Sequence, residues 1–147
     1  MDNTNQRVAV YGLILNQVGE VLLVKRSMED SYPGIWEMPG GALEFGEQPQ
    51  IGALREVKEE TNLEVEILYP ITTLSGFSGK SPHTQVVRIT FLCLCINANL
   101  TKLSHEHIDY KWVKPENIEE PIISDLLKAT LQVIAKYPKL ITPYQDK

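Results

Sequence analysis

The segment Gly41–Leu63 constrains this chain more than any other, because it places three carboxylates on one side of a predicted helix. Glu56, Glu59 and Glu60 have the spacing i, i+3, i+4, which brings side chains together on one helical face. Like charges at this spacing repel by about 0.2–0.5 kcal/mol per pair, and a divalent cation is the simplest compensation. The glycine-rich sequence Pro39–Gly41 comes shortly before the helix. The segment therefore predicts a metal site.

Composition predicts one folded domain that binds neither membranes nor nucleic-acid polymers. The 147 residues suffice for a domain with a hydrophobic core, and we expect a single domain over residues 1–147. The net charge is −5 and there is no basic run, which argues against a grip on a nucleic-acid backbone. The N-terminus lacks an apolar signal core, and no apolar run approaches the ~20 residues that span a bilayer. A cytoplasmic protein is expected.

Hydrophobic periodicity predicts strands and helices that alternate around one mixed sheet. We predict strands over 7–15, 20–26, 36–38, 64–77, 84–98 and 110–113, and helices over 48–61 and 122–137. The first two strands are expected to form a hairpin, and Pro39–Gly41 is expected to form a turn. This order indicates an α/β (α+β) fold in which helices cover both faces of a mixed β-sheet.

The first predicted helix separates apolar residues from acidic ones. Pro49 lies near its first turn, and Asn62 tolerates the left-handed conformation that ends many helices. Ile51, Leu54 and Val57 form an apolar stripe, and the three glutamates lie nearly opposite to it. We therefore expect the stripe to pack against the sheet and the acidic face to point away from the core.

The same segment resembles the sequence motif of the Nudix hydrolases, G-x5-E-x7-R-E-U-x-E-E-x-G-U, in which U is a bulky aliphatic residue. The matching positions are Gly41, Glu47, Arg55, Glu56, Val57, Glu59, Glu60 and Leu63. Asn62 stands where the motif has glycine, and it is the next best residue at a positive φ. The sequence 34–41 and the pair Glu106-His107 followed by Trp112-Val113 are also similar to the small, MutT-like members. The resemblance implies a Nudix-type α/β/α sandwich.

The resemblance implies that the chain hydrolyses the diphosphate linkage of a nucleoside diphosphate derivative with Mg²⁺ or Mn²⁺. Such ions screen the phosphate oxygens and lower the pKa of bound water, and they prefer oxygen ligands. The implied metal ligands are Glu56, Glu59, Glu60 and the backbone carbonyl near Gly41. Arg55 and Glu47 are implied to form an ion pair that links the glycine-rich loop to the helix and supports catalysis.

Two glutamates are candidates for the general base. Glu56 is the first choice and Glu106 the second, because either must reach the metal-bound water within hydrogen-bond distance. His105 and His107 flank Glu106, and they are expected to be exposed surface residues rather than metal ligands.

Several residues outside the motif are candidates for substrate binding. Trp36 either stacks on a nucleobase or packs beside the metal-binding loop. Arg26 ends the second strand, and Lys80 and His83 lie in the loop before the long fifth strand. Further candidates are Lys25, Arg88, Tyr11 and Phe77.

The motif implies the reaction type and leaves the substrate open. The first choice is a (deoxy)nucleoside triphosphate that is cleaved to the monophosphate and pyrophosphate, and ADP-ribose and dinucleoside polyphosphates are the alternatives. A non-catalytic nucleotide sensor and a related isomerase are hypotheses from other classes, and both are disfavoured because the motif carboxylates are all present. The expected partner is a nucleotide-linked small molecule. Small domains of this kind often pair, so a homodimer is considered as well.

Overall fold

The computed structural model describes residues 4–30, 32–119 and 122–145. Within them, seven strands form one sheet: β1 (Asn5–Leu15), β2 (Val21–Arg26), β3 (Trp36–Glu37), β4 (Gly40–Ala42), β5 (Glu66–Phe77), β6 (Thr84–Leu94) and β7 (His107–Val113). The helices are α1 (Pro49–Thr61) and α2 (Asp125–Lys136). Short 3₁₀ turns occupy Ala98–Leu100, Pro115–Asn117, Pro138–Leu140 and Thr142–Tyr144. The ends of the predicted domain, 1–3 and 146–147, lie outside the described residues.

Strand β1 is the centre of a mixed sheet. It runs parallel to β6 along its whole length, and it pairs antiparallel with β4 near its middle and with β2 at Leu15. The path through the sheet is β3-β2-β1-β6-β5, with β7 beside β2. The predicted mixed sheet and the predicted hairpin are both confirmed, although the hairpin pairing is short because β4 also occupies this edge of β1.

The two helices pack on opposite faces of the sheet. Side chains alternate between the faces of a strand, so Val10 and Ile14 of β1 join one buried cluster with Val57 of α1. Leu13, from the same strand, belongs to a second cluster with Leu127 of α2. Full burial of such side chains contributes about 1.5–3 kcal/mol each. The predicted arrangement of helices on both faces is therefore confirmed.

The glycine-rich segment before α1 is a strand, so its prediction as a turn is wrong. Gly40 pairs with Tyr11 and Gly41 with Val10 as β4 runs antiparallel to β1. A Cβ atom at Gly40 would lie 2.3 Å from the carbonyl oxygen of Val10. Glycine is needed here because the backbone approaches its neighbour closely, rather than because the chain turns.

Helix α1 has the predicted bounds to within one residue, but only part of its predicted apolar stripe, notably Val57, is buried. Ile51 is 57% exposed, and the buried face instead includes Ala53, Val57 and Glu60 at the spacing i, i+4, i+7. The prediction that Glu60 lies opposite to the packed face is wrong, because a backbone amide of β4 satisfies its carboxylate inside the protein. Asn62 ends the helix with φ of 65°, as the sequence indicates.

Three other boundaries differ from the predictions by three residues or more. Strand β6 ends at Leu94, and β7 begins at His107 because this residue already pairs with Arg26 of β2. Helix α2 begins at Asp125, since the Ser124 hydroxyl oxygen accepts a hydrogen bond of 3.1 Å from the Leu127 amide and caps the helix there. Among the residues that the structure describes, no helix is long and apolar enough to cross a membrane.

Replacing Gly40 with alanine tests the close approach of β4 to β1. The added Cβ would also lie 2.4 Å from the Tyr11 ring, so one strand must shift. We expect the free energy of unfolding in urea to fall by about 1–3 kcal/mol, the usual cost of overpacking. Gly76→Ala in β5 is the control, because its nearest atom would be 3.4 Å away, in Arg88. Equal losses in the two variants would contradict this reading.

Candidate active site

Two carboxylates of α1 contact the backbone of β4. The Gly40 amide donates a 2.7 Å hydrogen bond to Oε2 of Glu60, whose residue is only 4% exposed. A Cβ at Gly41 would lie 2.6 Å from Oε2 of Glu56, so this carboxylate also lies against the strand. The structure thus brings Gly41, Glu56 and Glu60 together, as the motif predicts.

Arg55 connects the loop before α1 to the carboxylates on the helix. Its Nε lies 2.8 Å from Oε2 of Glu47 and its Nη2 lies 2.9 Å from Oε1, which is a bidentate pair. Its Nη1 lies 2.9 Å from Glu56 and 3.3 Å from Glu59, and Nη2 donates to the carbonyl oxygen of Ala42. The predicted Arg55–Glu47 ion pair is confirmed as a contact. The Arg55 side chain lowers the pKa of Glu47 to about 2 by hydrogen bonding.

Burial raises the pKa of the two inner carboxyl groups. It raises the pKa of Glu60 well above its usual range. The nearby carboxyls of Glu106, Glu37 and Glu56 add to this rise, and the Gly40 amide, which donates to the carboxylate, opposes it. Burial also raises the pKa of Glu56, with Arg55 opposing it. A cation beside such crowded acids would compensate their negative charge and favour their ionised form.

The loop that carries Glu106 is attached to the end of α1. The amides of Lys102 and Ser104 donate to the carbonyl oxygens of Thr61 and Glu60 at 2.9 and 3.1 Å. The Asn62 side chain donates to the carbonyl oxygen of Leu100 at 3.2 Å, a contact that glycine at this position would not make. These bonds hold the loop beside the glutamates of the helix.

Beyond this loop, His107 lies at the start of β7 and is buried. Carboxylate oxygens of Glu60 and Glu106 and a ring nitrogen of His107 all lie within 4.8 Å of one another. The ring Nε2 is 3.3 Å from Oε1 of Glu37. The other oxygen of this carboxylate, Oε2, accepts a 2.5 Å hydrogen bond from Nε of Arg26. The expectation of an exposed histidine is wrong for His107, because strand pairing buries it, whereas His105 is exposed as expected.

A cleft of about 290 Å³ joins these acids to several cations. Its lining includes the acids Asp30, Glu37, Glu60 and Glu106, the cations Arg7, Arg26, Lys80 and Arg88, and also Gly40, Gly41 and His107. A second cavity of about 350 Å³ adjoins it and shares Tyr11, Arg26, Tyr32, Glu37 and Arg88. The rest of the second cavity is more apolar, with Ile35, Leu74, Phe77 and Leu126 beside Asp125. An anionic substrate with one less polar end fits this arrangement of walls.

The sequence model of the NUDIX domain matches residues 5–133 of this chain. The chain belongs to the Nudix hydrolase family. A MutT-like protein of Streptomyces ambofaciens is 32% identical over 77% of this chain and 67% of its own length. Nucleoside triphosphatase NudI of Escherichia coli is 30% identical over 87% of this chain and 96% of its own length. The crystal structure of MutT protein from Methanosarcina mazei Go1 has a TM-score of 0.81 at 27% identity, covering 93% of this chain and 98% of that one.

The donor set of this Nudix site fits a divalent cation such as Mg²⁺ or Mn²⁺. Glu56 and Glu60 supply carboxylate oxygens, and the glycines of β4 leave space that a Cβ would fill. Among the described residues, neither Glu56 nor Glu59 lines the cleft. Glu56 lies against Gly41, whereas the side chain of Glu59 is 60% exposed and pairs with Arg55.

Two of the predicted substrate-binding residues of the Nudix chain line the cleft and two do not. Arg26 and Lys80 are among the lining residues, whereas Trp36 and His83 are absent from the described linings of both cavities. Trp36 packs against the α2 cluster, with the ammonium group of Lys111 over its ring at 4.5 Å. Neighbouring residues of a strand face opposite ways. Glu37, the residue after Trp36, therefore lines the cleft instead.

Sequence reasoning missed Glu37 and Arg7 of the Nudix cleft and Asp125 of the second cavity. Glu37 lies in a strand of two residues, too short for alternation to show which side chain faces the site. Arg7 lines the cleft because β1 pairs with β6, and Asp125 lines the second cavity because α2 begins there. Local sequence patterns do not show either of these tertiary arrangements. Tyr11, proposed as a core or pocket residue, lines both cavities, and burial raises its pKa to about 12.

Glu47→Gln is predicted to make stability less dependent on pH in acid. A carboxyl whose pKa falls from 4.5 to about 2 on folding stabilises the protein above pH 4.5, and this contribution disappears as the pH falls through 2. The difference in Tm between wild type and Glu47→Gln should therefore be largest at neutral pH and should shrink between pH 4.5 and 2. Glu44→Gln is the control, because Glu44 is exposed and 3.8 Å from Arg55. A difference that does not vary with pH would refute the assignment.

Proposed function

We propose that this Nudix hydrolase uses Mg²⁺ or Mn²⁺ to cleave a nucleoside triphosphate to the monophosphate and pyrophosphate. The observation that supports this most is the cleft, which is lined by Gly41 and Glu60 and also by Arg26, Lys80 and Arg88. A chain of phosphates needs cations along its length and a metal at the bond that breaks. The Escherichia coli relative NudI, which aligns over 96% of its own length, is named a nucleoside triphosphatase.

The proposed metal ligands are the carboxylates of Glu56, Glu59 and Glu60 and the carbonyl oxygen of Gly41. The bound ion supplies charge screening of the phosphates and a more acidic water molecule. Glu56 and Glu60 reach this position from the packed side of α1, and Glu59 requires a different rotamer from the one that pairs with Arg55. Arg55 and Glu47 act by holding the helix and its loop in register.

The cationic residues that line the cleft are proposed to bind the phosphates that do not react. Arg26 is held by Glu37 at 2.5 Å and by Asp30 at 3.2 Å, so its guanidinium is positioned before substrate arrives. Arg26 and Arg88 line both cavities, which places them where the phosphates of a bound nucleotide would meet its nucleoside. The less polar second cavity is proposed to hold the nucleoside.

Glu56 is proposed as the general base. Its Oε1 is paired with Arg55, while Oε2 lies against Gly41, where the metal is proposed to bind. Glu106, whose carboxylate lies within 4.8 Å of that of Glu60, is the alternative.

A panel of nucleoside triphosphates, ADP-ribose and diadenosine polyphosphates tests the substrate class. With Mg²⁺, we expect triphosphates to give the monophosphate and pyrophosphate, identified by chromatography, and chelation of the metal to stop the reaction. Glu60→Gln, compared with Glu64→Gln outside the site, should lose most of the turnover. Turnover of ADP-ribose alone would contradict the triphosphate proposal, and nucleotide binding without turnover would favour the sensor.

The pH dependence of kcat/KM tests the base. We expect Glu56→Gln to lose about 10²–10⁴-fold in rate together with the acidic limb of the profile, which reports deprotonation of the base. Glu106→Gln should keep that limb. If Glu106→Gln loses the limb and Glu56→Gln keeps it, the base is Glu106.

The expected cellular setting is also a proposal. We infer a cytoplasmic location and a nucleotide-linked small molecule as the partner, and a homodimer stays a prediction that sedimentation can measure.

A further inference from the structure

His107 has one ring nitrogen that the surrounding protein leaves unsatisfied. The residue is 6% exposed, and its Nε2 lies 3.3 Å from Oε1 of Glu37. Its Nδ1 is buried and has no hydrogen-bond partner among the described residues. Buried polar atoms normally have partners, so an orphaned one needs an explanation.

The His107 ring lies beside two carboxylates. A ring nitrogen of His107 and carboxylate oxygens of Glu60 and Glu106 are mutually within 4.8 Å. Two ligands on opposite sides of a cation with bonds of about 2.1 Å lie about 4.2 Å apart. Small side-chain shifts would therefore bring all three atoms onto one ion.

The contacts of His107 match those of a metal-binding histidine. Such a histidine usually donates its second ring N–H to a carboxylate, which fixes the tautomer and orients the ring. Glu37 accepts from Nε2 in this way, and Arg26 holds Glu37 in turn at 2.5 Å. With the proton on Nε2, Nδ1 carries the lone pair that a metal requires.

We propose that His107 is a nitrogen ligand of a divalent cation that it shares with Glu60 and Glu106. The proposal deepens the proposed function, on which it rests, by adding a nitrogen donor to the oxygen donors of the Nudix motif. An imidazole nitrogen is a ligand for first-row transition metals, the series that begins with Mn²⁺, whereas Mg²⁺ prefers oxygen ligands. The site should therefore bind Mn²⁺ more tightly relative to Mg²⁺ than oxygen ligands alone would allow.

Electron spin-echo envelope modulation of the Mn²⁺-loaded full-length protein tests the nitrogen ligand. We expect a ¹⁴N coupling in the wild type that is replaced by a ¹⁵N coupling when only histidine is labelled with ¹⁵N. This experiment needs no substitution, so a failure of any variant to fold does not affect it. A wild-type spectrum without a histidine coupling would overturn the proposal and would fit a purely structural His107–Glu37 pair.

Two variants then identify which histidine binds. His107→Gln should lose the coupling. It should also weaken Mn²⁺ binding by about 10–100-fold or more, because losing a residue that only supports a ligand already costs that much. His105→Gln, two positions away and exposed, should keep both. If His107→Gln folds and keeps the coupling, the proposal is wrong.

The Mg²⁺ hydrolysis assay separates this proposal from the proposed function. Nucleotide hydrolysis by a protein that lacks the histidine coupling would overturn the nitrogen ligand alone. A histidine coupling in a protein that hydrolyses none of the nucleotides would overturn the hydrolase proposal alone.

Discussion

The hydrogen bond from the Gly40 amide to the Glu60 carboxylate is the contact on which the rest of the site depends. A carboxylate in the core is costly unless hydrogen bonds and charge compensate it. Here the compensation comes from a strand that contains glycine, because a Cβ would prevent its approach to β1. Helix α1 is thereby fixed on the sheet with an acid on its packed face. The same burial that makes Glu60 costly makes it a strong candidate to bind a cation.

The other parts of the site are held in place relative to this contact. Arg55 links α1 to the loop that precedes it, because one guanidinium contacts the loop residue Glu47 and the helix residue Glu56 together. Asn62 and the carbonyl groups at the end of α1 form hydrogen bonds with the loop that carries Glu106, and so link this loop to the helix. Acids that are distant in sequence are therefore positioned by one helix. Removing any one of these links would disturb the geometry without removing a ligand.

The sequence could predict what depends on local spacing. The bounds of α1, the ion pair of Arg55 with Glu47 and the left-handed Asn62 are all encoded within one short segment, and each is confirmed. The burial of Glu60 and of His107 could not be predicted, since each depends on a strand that pairs from elsewhere in the chain. Local hydrophobicity assigns such residues to the surface. Polar residues that are buried for chemical reasons are where pattern analysis is expected to fail.

Under the proposed function, selectivity among nucleotides comes from the second cavity rather than from the acids and glycines of the cleft. Those acids and glycines would contact only groups that every diphosphate has, so they would bind without discrimination. The second cavity differs, because apolar side chains such as Leu74 and Phe77 line it together with Asp125, an acid that the cleft does not share. A carboxylate accepts hydrogen bonds and repels negative charge, so it favours a ligand edge that carries N–H donors over one that carries only carbonyl oxygens. The Nudix motif thus implies the reaction, while, if the second cavity holds the nucleoside as proposed, a residue at the start of α2, far from that motif in sequence, would distinguish one base from another.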